Sequence, residues 1–341
     1  MKIAFAADGH SLARGSYRMW VRDAAEALAE TGVSVSTFSL QELAGLHDFD
    51  GVVLLDKAAT AKAEIPKQRN YLVGAINPPE HAAAKADFAV VGSIEEKVAL
   101  ARSFPLAFIW PLVERQFESA KPRDHIDLDV VTVGYHGNSL HLGAMRSSGL
   151  ADALVQFKNR LERMNRSLRL KVITETAQPN WKVGRPAVSI EFIKYDLARV
   201  MDDIQTVDIG VVPNAHFGRA NPFLSKLQRR FVSLDVSKND YVMRFKEKSN
   251  FGRALVFQQL GVPVVADLTP SNVDLIRDGE TGYIAGNTAS WFQSLSSLVD
   301  APARKKIADA AHERMIGRFK TVDIAKNFLS FLATPSLIRE P

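Results

Sequence analysis

The sequence predicts an α/β protein built from two doubly wound units, and three observations carry that prediction. The chain has 341 residues, more than one hydrophobic core usually organises, since a domain takes roughly 100 to 200 residues. Short, near-continuous apolar runs alternate with stretches of helical period. Runs of that kind belong to strands covered on both faces, hence to parallel sheets. A polar, proline-containing segment at residues 118–127 interrupts the pattern, which then restarts.

In the first half, KIAFAA at residues 2–7 reads as a buried strand, followed by a Gly/Ser loop and an amphipathic helix over residues 17–30, stopped by Gly32. Further strands are expected at residues 33–38, 50–55, 71–76 and 88–91. In the second half, DVVTV at residues 129–133 opens a new series, with a loop, a long helix to about residue 165, and strands at 168–173, 188–193, 208–212, 263–266 and 282–284. The expected domains are 1–120 and 121–320, both Rossmann-like, with a C-terminal helix in 321–341 packing back on the first. Residues 215–247 are longer than an ordinary connection, and long loops are often functional.

Composition narrows the chemistry. Hydrophobic residues at 46% and charged residues at 24% suit a globular protein. With no cysteine, disulfides, thiolate metal sites and thiol nucleophiles are excluded, and no histidine spacing suggests a metal. No apolar run reaches the length of a membrane span and no signal h-region opens the chain, so a cytoplasmic location is expected. Lys226, Arg229, Arg230, Lys238, Arg244, Lys246 and Lys248 crowd into one segment. Such a cluster suits a diphosphate, anionic headgroups or a merely solvated basic face. Its aromatic residues are too few for nucleic acid, and no nucleic-acid partner is expected.

The most informative stretch is KSNFGRALVFQQLGVPVVA at residues 248–266, a loop, a helix and a strand. Ser249 or Asn250 can cap the helix, whose first turn offers unpaired N–H groups and a partial positive charge to an anion. Lys248 and Arg253 add full charges there. The same residues also suit an ordinary capped surface helix. NVDLIRDGETGYI follows at residues 272–284, where an Asp-Gly turn accounts for Glu280, and Trp291 reads as a helix packing residue.

This ordered set resembles the donor-binding half of GT-B glycosyltransferases, the retaining, family 4 type in particular. YHGNSLH at residues 135–141 and VDIGVVP at 207–213 resemble further loops and strands of that half, and RGSYR at 14–18 the glycine-containing acceptor-side loop. The resemblance implies two Rossmann-like domains about a cleft and transfer of a sugar from a nucleotide-diphosphate donor to a glycan, lipid-linked or small-molecule acceptor. It implies retention, and neither a metal nor a cofactor besides the nucleotide-sugar co-substrate. The diphosphate would lie at Lys248, Ser249, Asn250 and Arg253, with His136, Gly137, Asn138, His141 and Asp274 lining the donor side. His10, Gly15 and Ser16 would belong to the acceptor-side loop. His81, in NPPEH after a strand, is the candidate catalytic histidine, since loops at the carboxyl ends of parallel strands host sites. A peripheral contact at the inner face of the membrane is expected where the acceptor is lipid-linked.

The chain departs from that pattern at one position. Relatives carry two acids eight positions apart on this helix, the second holding the ribose; the matching residues here are Lys248 and Val256. Valine cannot bind ribose hydroxyls, which leaves Gln258 or Asp274 for that role. It also keeps open a second reading, a GT-B-like sugar-nucleotide binding or scaffold protein without turnover.

Overall fold

The computed structural model describes the chain except residues 8–14, 40–41, 43–48, 67, 79–81, 83, 182–183, 215–249 and 335–341. Two compact units result. One comprises Met1–Ala120, Asn250–Val256 and Arg314–Pro341; the other comprises Lys121–Ser249 and Phe257–Glu313. Residues 250–256 and 314–320 thus group with the first unit, whereas the sequence assigns 121–320 to the second.

In chain order the first unit contains β1 (Lys2–Ala6), α1 (Gly15–Tyr17), a π turn (Arg18–Arg22), α2 (Asp23–Glu30), β2 (Ser34–Phe38), β3 (Gly51–Leu55), α3 (Lys57–Lys62), β4 (Tyr71–Ile76), β5 (Phe88–Val91), α4 (Ile94–Leu100) and β6 (Ala107–Ile109). The six strands are all parallel, in the order β2-β1-β3-β4-β5-β6. The helix expected over 17–30 starts at Gly15. It passes through the π turn, in which the Asp23 N–H reaches back to the Arg18 carbonyl. There Arg18 is buried and its guanidinium holds Glu114 through two N–H groups, one at 2.9 Å. Strand β6 escapes sequence detection because it has only three residues, set between Pro105 and Pro111.

The second unit runs through β7 (Val130–His136), α5 (Ala144–Ser147), α6 (Leu150–Arg163), β8 (Ser167–Thr174), β9 (Ser189–Lys194), α7 (Val200–Gln205), β10 (Ile209–Val212), α8 (Gly252–Gln259), β11 (Val264–Asp267), α9 (Pro270–Leu275), β12 (Tyr283–Ala285), α10 (Thr288–Ser297) and α11 (Ala301–Arg318). The division between units falls within α8 and within α11. α12 (Thr321–Leu332) returns to the first unit and packs on α2. Its Phe328 ring lies 5.1 Å from Phe108 and 5.6 Å from Trp110.

The second sheet is again wholly parallel, in the order β12-β11-β10-β7-β8-β9. Strands leave β7 in both directions, so the β7/β10 junction is a topological switch point, where α/β sheets open a crevice at the carboxyl ends of their strands. In register, Ile209 pairs with Val133 and Gly210 with Gly134. Gly210 is required by close approach: a Cβ there would stand 2.5 Å from the Phe257 ring of α8. The core beneath the sheet is aliphatic, with Phe157 of α6 and Trp291 of α10 fully buried in it. As expected, the Asp-Gly stretch is a turn, in which Gly279 N–H donates to the Gly282 carbonyl and Ile284 N–H to Asp278 Oδ1, each at 2.8 Å.

The polar segment after residue 120 has no helix or strand up to β7, but it is pinned. Arg123 donates to the Val207 carbonyl and, at 3.1 Å, to Asp208, whose other oxygen takes the Thr132 N–H at 2.8 Å. Arg304, from α11, donates to the Leu298, Val299 and Ile126 carbonyls and lies 4.0 Å from Asp208. Burial, together with the charges of Arg123 and Arg304, pushes the His125 imidazole down to about 4, against the opposing pull of its bond to the Gly261 carbonyl and of Asp208.

Candidate functional site

Four of the expected donor-side residues form one turn at the carboxyl end of β7. His136 ends the strand, and its ring packs edge-to-face with Phe257, centroids 4.8 Å apart. Gly137 follows with φ of 139°, a conformation that glycine alone adopts cheaply, and its N–H donates to the Ile173 carbonyl of β8 at 3.1 Å. The Tyr135 hydroxyl and the His141 N–H both donate to the Asn138 carbonyl, at 2.9 and 3.0 Å. Glu175, the residue after β8, fastens the next position: it accepts from the Ser139 N–H at 2.9 Å and from the Ser139 hydroxyl. Burial raises the Glu175 carboxyl, but these two bonds and the nearby His141 outweigh it, and the group titrates below the usual carboxylate range. The turn is held from three sides, while Asn138 is exposed and Gly137 half-buried.

Across the switch point, β10 is followed by Pro213 and Asn214. The Asn214 N–H donates to Asp267 Oδ2 at 3.0 Å. Asp267 closes β11, is fully buried, and also accepts the Leu268 N–H at 3.1 Å; its carbonyl takes the Asn272 amide at 2.8 Å. Thr269 caps α9 by accepting the Asn272 N–H. Asp274 lies half-buried on that short helix. Sequence reading missed Asp267 and Asn214. The signal was present: Asp267 is a carboxylate in an otherwise apolar strand, at its carboxyl end.

At the start of α8, the Gly252 N–H donates to Asn250 Oδ1 at 3.1 Å, an Asx turn leading into the helix. Arg253 lies half-buried in the first helical turn, which has no acidic residue. Lys248 and Ser249 lie outside the described residues, as does the basic segment from Lys226 to Lys246. Val256 is buried. Gln258 is buried too, and its amide donates to the Thr281 carbonyl at 3.0 Å. Burial and this internal bond correct the expectation that Gln258 could take the ribose role.

In the first unit, Gly15 opens α1. Burial, chiefly, raises the Tyr17 phenol, with Arg22 opposing and Asp56 adding to it. His10 and His81 lie outside the described residues, and so does the side chain of Ser16. Among the described residues no cluster of three or more His, Asp or Glu side chains is placed to hold a metal. Nor is any described helix long and apolar enough to cross a membrane.

No protein-family model and no curated protein matches this sequence. Solved structures do. Staphylococcus aureus TarM superposes with a TM-score of 0.58 at 10% identity, covering 86% of this chain and 57% of its own. Sucrose-phosphate synthase from Thermosynechococcus elongatus gives 0.63 at 12%, covering 96% and 97%. HepE from Anabaena, in complex with UDP-glucose, gives 0.58 at 14%, covering 98% and 99%. This chain therefore spans little more than half of TarM and nearly all of the other two. At such identities the likeness establishes the fold: it is that of GT-B glycosyltransferases, two parallel six-stranded α/β sheets in succession.

Proposed function

We propose that the protein is a glycosyltransferase that takes a sugar from a nucleotide-diphosphate donor. One observation carries the reading: α8 opens on an Asx turn with Arg253 and no acid in its first turn, on a fold whose solved examples include one in complex with UDP-glucose. A helix start of this kind is an anion site. Each hydrogen bond to a charged group contributes about 1.5 to 3 kcal/mol, so a few contacts from Lys248, Ser249, Asn250 and Arg253 supply most of a micromolar affinity. The same groups would stabilise the charge that develops on the departing diphosphate. His136, Gly137, Asn138 and His141 would receive the nucleotide at the β7 turn, with Asp274 near the sugar. Gly15 and Ser16, with His10 and His81, would face the acceptor, a glycan, lipid-linked or small molecule. Retention without a metal, and a site at the inner membrane face, complete the reading.

The buried Val256 and the internally engaged Gln258 support a second reading, in which a sugar nucleotide is bound but not turned over. The two are separated by one series of measurements. UDP, GDP, TDP and ADP sugars are added to the protein, and melting is followed. A ligand at 100 times its Kd adds about 2.7 kcal/mol, a rise of several degrees. No rise with any of the four defeats both readings; a rise without transfer or hydrolysis leaves the second. Arg253→Ala should weaken the binding at least about tenfold, the loss of one charged hydrogen bond.

A further inference from the structure

Helix α4 is packed in an unusual sense: it buries Glu95 and Glu96 and exposes Ile94 and Val98. Serine at its N-cap, Ser93, accepts the Glu96 N–H at 3.1 Å. In a capping box the glutamate would return the bond to the N-cap's own N–H. Here Glu96 Oε2 reaches one residue further and accepts the Gly92 N–H at 2.6 Å. Gly92 therefore cannot shift along the strand end without breaking a bond to a buried carboxylate.

Within the same unit, Gly92 faces the start of α8. A Cβ built on it would stand 3.1 Å from Trp20, 3.3 Å from Glu96 Oε2 and 3.7 Å from Asn250 Cβ. Two more contacts seat that helix start: Leu112 lies 3.1 Å from where a Gly252 Cβ would be, and the Phe251 ring packs 5.5 Å from Phe319. Asn250, whose side chain forms the Asx turn, is thus held by residues far from it in sequence.

We propose that Gly92 and Glu96 are positioning residues for the diphosphate end of the donor site: the Glu96 carboxylate fixes the Gly92 turn, and Gly92, whose lack of a side chain lets Trp20 and Glu96 close on it, packs against Asn250 at the mouth of α8. This rests on the donor reading above. Neither residue need touch the ligand, and the bond to Gly92 asks of Glu96 an acceptor oxygen.

The test titrates the full-length protein with UDP by calorimetry, or with whichever of GDP, TDP and ADP the wild type binds, and follows melting of each variant in parallel. Glu96→Ala and the milder Gly92→Ala are expected to weaken binding about tenfold, while Glu96→Gln, which keeps the acceptor, stays within about twofold. Combined with Asn250→Ala, neither should weaken binding beyond Asn250→Ala alone, the mark of residues acting through one another. A stability defect would lower melting without that pattern. Full additivity with Asn250→Ala, unchanged affinity in Gly92→Ala, or failure of Glu96→Gln to retain affinity each overturns the proposal. Wild type that binds none of the four nucleotides overturns the donor reading itself, which separates the two failures.

Discussion

At the amino ends of β7 and β10, Asp208 takes the Thr132 N–H and the Arg123 guanidinium, His125 donates to a backbone carbonyl, and Arg304 donates to backbone carbonyls and to Asp127; at the carboxyl ends of the same strands, polar groups are arranged around open backbone. One end is a lock: its charges face each other and close the chain entry onto the sheet. The other is a mouth, where Gly137 and Asn138 keep the turn accessible, Glu175 and Tyr135 brace it, and Asp267 holds the Asn214 N–H after the neighbouring strand. Buried charge therefore serves two different ends of the same strands in this molecule. What separates the ends is whether the charged groups are consumed by internal partners or used to hold backbone in place for something else.

The lock should be the costlier end to break. Asp208→Ala leaves Arg123 and the Thr132 N–H without their buried acceptor, and removing one partner of a buried pair costs about 3 to 5 kcal/mol. Urea unfolding would read that loss, and a loss below about 1 kcal/mol, the scale of an exposed ion pair, would place the network among surface pairs. Nucleotide affinity, measured under conditions where the variant remains folded, should be unchanged.

A smaller effect is expected from Gly210→Ala, which drives a methyl into the Phe257 ring. Overpacking of this kind costs about 1 to 3 kcal/mol. Because Phe257 also carries the His136 ring, this substitution should disturb the mouth as well, visible as a shift of the His136 ring resonances. Their constancy would show that the mouth does not depend on α8 packing.

The third prediction concerns pH. The His125 Nε2–H donates to the Gly261 carbonyl at 2.9 Å, and burial keeps the folded-state ring neutral against the pull of that bond. Since its folded value of about 4 lies below the ordinary 6.5, the unfolded chain binds the proton first. Stability should be intact above pH 6.5, fall as pH drops toward 4, and show no further loss from this group below that. The shift corresponds to about 3 kcal/mol, and partial exposure reduces this to about 1 to 2 kcal/mol. His125→Gln retains a donor to the carbonyl without titrating; its melting temperature should decline less than the wild type's over that interval.

Much of the architecture could be read from short-range pattern. Strands at residues 71–76 and 88–91 lie where their apolar runs placed them, because an apolar run covered on both faces is a local property. The Asp-Gly turn and the packing role of Trp291 follow equally from neighbouring residues. The β7 turn was legible as a glycine-containing loop after a strand, and its residues do fall together. Asp267 stands out in the sequence as a carboxylate ending an apolar strand, but its partner, the Asn214 N–H after β10, is fixed only by strand order.

By itself, then, the sequence determined the kinds of element, their order and the chemistry available at the start of α8. Tertiary structure alone decided the strand order that makes β7 and β10 neighbours, the pairing of Arg18 with Glu114, and the seating of Asn250 against Gly92. The physical reason is one of range. Backbone hydrogen bonding and apolar periodicity act over a few residues and leave their mark in composition. Contacts between distant segments depend on which surfaces meet when the core is packed, and no local pattern records that.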